Sequence, residues 1–209
     1  QAHGECRHGA DQHDETQGGI AQFVGTLNSA RASDTSDMQL TLSSGDNYLP
    51  SAVFDAGFDD EALVAIGYDA IAIGNHEFDR GPDRFAQFIN DYKVAGGSAP
   101  WLASNLDFSG EANLAALVGS GDIAKSTIVN KGGQTFGIIG ADTENLPFIT
   151  TLGGVTVTDR AGTVAAIQQE VNDLQTAGVN KIILISQLQG IAEEKDVISK
   201  VSGLDIVIA

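Results

Sequence analysis

Cysteine is almost missing from this chain: Cys6 stands alone among 209 residues, which excludes an internal disulfide and leaves the redox setting open. Positive charge is scarce as well. Eleven Lys and Arg stand against 28 Asp and Glu, for a formal net charge of -17 and a pI near 4.2. The acids are scattered rather than gathered into a tail, which argues against nucleic acid or an anionic membrane as the main partner. No apolar run approaches the roughly 20 residues of a membrane-crossing helix. No signal peptide is visible, and the abrupt start on Gln1 is expected of a processed or partly observed product. No repeat, low-complexity block or interdomain linker interrupts residues 1–209, so a single domain is expected. Its 42% hydrophobic content suffices for a core covered on both sides.

What is present is an alternation of apolar, β-rich runs with helical patterns, the order of a layered α/β domain. Ile20, Phe23, Val24 and Leu27 recur at helical spacing and predict a helix over 20–32. A strand is predicted over 39–43, a short helix over 60–66 and a strand over 69–73. Pro82 opens a further helix from its first turn. A strand over 101–105 follows. Residues 126–129 and 134–141, split by Lys131-Gly132-Gly133, read as a hairpin, which makes the sheet mixed. Helices over 162–177 and 192–201 then alternate with strands over 181–185 and 204–209.

Chemistry concentrates where strands end. Ile71-Ala72-Ile73-Gly74 is apolar, and Asn75-His76-Glu77-Phe78-Asp79 at once delivers an amide, an imidazole and two carboxylates. Gln39-Leu40-Thr41-Leu42-Ser43 does the same by running into Ser44-Gly45-Asp46-Asn47. Two strand ends carrying oxygen and nitrogen ligands point to one shared metal centre, in which the Asp46 carboxylate bridges two cations and Asn75 adds a neutral oxygen. His76 is then free to protonate a leaving oxygen. The plainer readings are a polar turn at 44–47 and a helix cap at 75–79, and the cap reading is compatible with the chemical one. An acidic surface repels phosphate esters, so phosphate chemistry here demands bound cations.

These motifs, Ser43-Ser44-Gly45-Asp46-Asn47 and Gly74-Asn75-His76-Glu77-Phe78-Asp79, resemble those of the calcineurin-like metallophosphoesterases, and within them the bacterial 5'-nucleotidase group. Gly18-Gly19-Ile20-Ala21, Ser104-Asn105-Leu106-Asp107-Phe108, Phe136-Gly137-Ile138-Ile139-Gly140 and Lys181-Ile182-Ile183-Leu184-Ile185-Ser186 extend the resemblance over most of the chain. It implies a four-layer α/β/β/α sandwich with two mixed sheets, and a phosphomonoesterase that releases phosphate from nucleotides through a metal-activated water. Two divalent ions are implied, of a kind (Mn, Zn, Fe, Mg or Ca) the sequence does not specify. Asp46 would bridge them, Asn75 would ligate the second, and His76 would act at the transition state. A small phosphoester partner and a secreted or periplasmic location are implied too.

The chain departs from that pattern at three places. An Asp-x-His-Gly start is matched only by Gln1-Ala2-His3-Gly4, leaving His3 as the expected ligand and a first strand missing. The metal histidine after the strand ending at Ser186 is Gln187, a neutral oxygen in place of an imidazole. A final Gly-His-x-His loop is expected soon after Ala209. The alternative reading is therefore a degenerate domain that keeps the fold for binding or extracellular assembly. Asn105 is read as a substrate contact or as a turn residue. For Cys6, His8 and His13 a separate zinc site competes with a solvated loop.

Overall fold

The computed structural model describes residues 19–47 and 59–209. They fall into two units, one reaching to Thr35 and the other running from Ser36 to Ala209. In the first, helix α1 (Ile20–Ser33) follows Gly19, whose φ of 87° suits the abrupt entry. Its Thr26, Ser29 and Ser33 hydroxyls bond back to carbonyls of the preceding turn. Of the predicted apolar stripe, Val24 and Leu27 are half-buried while Ile20 and Phe23 are exposed.

The second unit is built on two four-stranded sheets. In the first, β1 (Leu42–Ser43), β2 (Ala70–Ala72), β3 (Trp101–Leu102) and β5 (Ile123–Ala124) lie side by side in that order, all parallel. In the second the order is β10 (Ile206–Ile208), β9 (Ile182–Gln187), β7 (Gln134–Asp142) and β6 (Ser126–Lys131). There β6 and β7 form the expected antiparallel hairpin, whereas β7, β9 and β10 are parallel. Among the described residues mixing is thus found in one of the two sheets, where the Lys131-Gly132-Gly133 turn lets a strand fold straight back. The strand predicted over 101–105 stops at Leu102. Residues 106–107 instead form β4 (Leu106–Asp107), which pairs with β8 (Thr156–Val157) in a separate ribbon.

The period of two along each strand sorts the core into layers. On β7 and β9, Ile138, Ile183 and Ile185 face Ala70, Ala72 and Leu102 of the first sheet. The alternate residues Ile139, Ala141, Ile182 and Leu184 turn the other way, onto Ile167, Val171 and Leu174 of helix α6 (Arg160–Thr176). That helix is capped by Asp159, whose side chain accepts from the Gly162 N–H at 2.8 Å. On the far side of the first sheet, Trp101 is fully buried against Phe85, Phe88 and Tyr92 of helix α3 (Pro82–Val94). Their rings meet edge-on, with centroids 5.4, 5.9 and 6.4 Å away. Helix, sheet, sheet and helix therefore follow one another.

Two glycines hold these layers close. A Cβ on Gly140 would collide with the Leu102 carbonyl group across the sheet interface, where the Ser104 N–H donates to the Gly140 oxygen at 2.7 Å. A Cβ on Gly137 would press Leu174 of α6, at 2.7 Å from its Cδ1. The tight joint at Gly140 brings the C-terminal ends of β1, β2, β7 and β9 toward one another, and open α/β sheets carry their ligands at such ends.

Candidate active site

The two loops singled out by their composition touch backbone to backbone. Gly45 has φ 113°, and a Cβ there would lie 3.1 Å from Gly74 Cα, so only glycine permits the approach. Asp46 follows at φ 55°, in the left-handed region that aspartate tolerates better than most residues. Its Oδ1 accepts from the His76 N–H at 3.1 Å, and its Oδ2 accepts from Gln187 Nε2 at 2.6 Å. Ser43 steadies the turn by donating to Asn47 Oδ1 at 2.7 Å while accepting from the Gly45 N–H.

Glu77, within the helix cap expected at 75–79, is the brace between these loops. It is fully buried within a short 3-10 turn (His76–Phe78). Oε2 accepts from the N–H groups of Gly74 at 2.8 Å and Asp46 at 3.1 Å, and Oε1 accepts from the Asn47 N–H at 2.7 Å and its Nδ2 at 3.3 Å. Burial pushes its pKa up to about 7, against the pull of the Asn47 and Gly74 N–H groups.

Asn75 is buried, and its Oδ1 accepts from Gln189 Nε2. Gln189 sits at φ 71° in the segment between β9 and helix α7 (Ile191–Ile198). Asp46 and Asn75, the two expected ligand oxygens, are thus each met by an amide N–H from one loop. His76 is half-exposed, and its Nδ1 lies 2.5 Å from Asp79 Oδ2. That contact raises the His76 pKa, partial burial opposes it, and Asp46 adds to the rise. Asp79 Oδ1 in turn accepts from the Thr150 hydroxyl at 3.3 Å.

Asp142, at the end of β7, is a further acid that the sequence reading passed over. It is wholly buried, with Oδ1 accepting from the Thr143 N–H at 2.6 Å and Oδ2 meeting no hydrogen-bond donor. Burial pushes its pKa well above the usual carboxylate range; Thr143 pulls the other way, and the Glu77 and Asp46 charges push further. Asn105 is 2% exposed and turned inward. Its Nδ2 donates to the Asp142 carbonyl at 2.7 Å and to Thr163 Oγ1 at 3.1 Å, and its Oδ1 accepts from the Asp142 N–H at 2.9 Å. Those partners support a framework role. A cavity of about 530 Å³ beside the β4–β8 ribbon is lined by Asn105 and Asp107, but not by Asp46, Asn75, His76 or Gln187.

The structure therefore brings together Asp46, Asn75, His76 and Gln187. His3, Cys6, His8 and His13 lie outside the described residues. Among the described residues no three of His, Cys, Asp and Glu lie close enough to hold one metal ion. Asp142 follows the same pattern of apolar strand and sudden carboxylate that marks Asp46, so the signal that could have found it was present. No comparable local signal marks Gln189.

No family model matches the chain. Over 193 residues it is 31% identical to a protein named 5'-nucleotidase from Diplobatis ommata, covering 91% of this chain and 31% of that protein. The structure resembles that of a 5'-nucleotidase precursor from Thermus thermophilus, with a TM-score of 0.78 and 30% identity over 91% of this chain and 35% of the other. A calcineurin-like phosphoesterase from Bacillus subtilis shares the fold at a TM-score of 0.64 and 20% identity, over 90% of this chain and 62% of its own. The chain spans about a third of the length of the curated relatives it matches.

Proposed function

Because this chain is a homologue of the 5'-nucleotidases and carries the calcineurin-like phosphoesterase fold, we propose that it is the catalytic domain of a metal-dependent phosphomonoesterase acting on nucleotides. The observation that carries this reading is the 2.6 Å contact between Asp46 and Gln187, two expected ligand positions 141 residues apart in sequence. Asp46, Asn75 and Gln187 would hold the cations once the amides turn their oxygens inward. One carboxylate with neutral oxygens suits hard ions such as Mg or Mn better than zinc. Bound there, divalent cations would offset phosphoryl charge and acidify water.

The chain's own residues supply the rest. Asp79 holds the imidazole through Nδ1 and favours its protonated form. The raised pKa favours the proton that His76 would give to the leaving oxygen. Glu77 fixes the spacing of the Asp46 and Asn75 loops, which is what orientation of substrate requires. A secreted or periplasmic location belongs to the same proposal.

A second reading, a degenerate domain used for binding, draws support from the amides of Gln187 and Gln189, which already satisfy the Asp46 and Asn75 oxygens. Phosphate release from a panel of nucleoside monophosphates, with Mg or Mn added, separates the two. Turnover that is lost with Asp46→Asn supports the hydrolase; a parent protein that releases no phosphate with any metal refutes it.

A further inference from the structure

The end of β7 holds an acid that the expected ligand set does not use. Asp142 is four residues beyond Ile138, and Gln187 is four beyond Ile183; both isoleucines belong to the cluster between the sheets. With a period of two, Asp142 and Gln187 project from that same face. They are also direct partners in the parallel β7–β9 register. Gln187 in turn reaches Asp46 at 2.6 Å. Asp142 therefore stands beside the Asp46–Gln187 contact, not in a remote part of the core.

Its surroundings are built to hold it there. The Asn105 amide grips both backbone groups of Asp142, and the Thr143 N–H takes up Oδ1. Oδ2 is left buried without a partner, and Asp142 forms no ion pair among the described residues. A buried carboxylate oxygen without a donor is costly to keep, unless a cation or a proton occupies its open side. Asp46 and Glu77 are near enough for their charges to act on it. With Asp46 reached from the neighbouring Gln187, a cation shared with that carboxylate is the better match for the open side.

We propose that Asp142 is an anionic donor of the metal centre, supplying from β7 the binding strength that Gln187 lacks on β9. The inference rests on the metal-dependent reading above and deepens it: a position outside the expected ligand set takes over from the absent imidazole. The centre then combines two carboxylates, Asp46 and Asp142, with the amide oxygens of Asn75 and Gln187. That set agrees with the lack of any three-acid or histidine cluster among the described residues, and it favours Mg or Mn over zinc.

The test titrates Mn²⁺ into the whole chain by calorimetry and counts bound metal after dialysis, for the parent, Asp142→Asn and Asp142→Thr. Either variant is expected to weaken Mn²⁺ binding at least tenfold or to lose one ion, with an unchanged circular dichroism spectrum. The threonine variant serves if the asparagine one does not fold. Adding Gln187→His to the weakened variant is expected to restore affinity. Mn²⁺ affinity within twofold of the parent in a folded variant overturns the proposal, as does a parent that binds no Mn²⁺. A parent that binds Mn²⁺ through Asp142 yet releases no phosphate refutes the hydrolase reading alone. Turnover together with metal binding that ignores Asp142 refutes this inference alone.

Discussion

Glu77→Gln in metal-free buffer tests the electrostatics of the strand-end cluster most directly. Glu77 is fully buried, and its folded-state pKa is pushed from 4.5 up to about 7. Between those values the unfolded chain has released its proton while the folded chain keeps it, so the unfolded state binds fewer protons and stability falls as pH rises. The contribution is therefore complete below pH 4.5 and is lost as pH climbs through about 7. Each pH unit is worth about 1.4 kcal/mol, which makes the loss about 3 kcal/mol across the window. Glutamine cannot titrate. Urea unfolding followed by circular dichroism at pH 4.5, 6 and 8 should show the parent losing about 3 kcal/mol more than Glu77→Gln over that range. Acids remote from Glu77 slope both proteins alike, and the Glu77 charge also acts on Asp142, so the difference reads Glu77 together with that coupling. Parallel pH profiles would refute the reasoning and would mean that the four N–H contacts outweigh burial.

Other outcomes follow from the same geometry. Gly74→Ala places a Cβ 2.8 Å from the Asp46 N and closer still to its Oδ1; unfolding should show a loss of about 1–3 kcal/mol, and Mn²⁺ titration should show weakened binding. Asn105→Ala strips both Asp142 backbone groups and Thr163 of buried partners. A loss of about 2–4 kcal/mol in urea unfolding is expected, with weakened Mn²⁺ binding because Asp142 loses the contacts that hold it. Asp79→Asn removes the chief cause of the raised His76 pKa. A histidine proton-resonance titration should then report a lower value, and the alkaline limb of any phosphate-release profile should move to lower pH with it.

Much of the site was legible because its signal is local. A buried strand that breaks at glycine into polar side chains is readable at Gly45-Asp46 and Gly74-Asn75-His76 without knowing what lies beside it. The hairpin at 126–142 was likewise readable, since a Gly-Gly turn allows the chain to reverse. The strand over 101–105 was cut short because Ser104 is drawn to Gly140 of the other sheet, a partner that no window of sequence contains.

Asn75 and Asn105 show where that legibility stops. Each follows a short apolar run, and each was a candidate to meet substrate. Asn75 meets Gln189 at the candidate site, while Asn105 turns in to hold Asp142. The difference is made by the neighbouring strands: an amide bonds to whichever backbone the sheet order sets beside it. Glu77 follows the same logic, because its burial exists only once two loops about thirty residues apart have closed around it. The amino-acid order by itself determined which strand ends carry polar side chains, through abrupt local changes from apolar to polar. Only the tertiary structure decided which of those side chains converge, since hydrogen-bond partners distant in sequence are set by strand order and by the close approach of the sheets at Gly140.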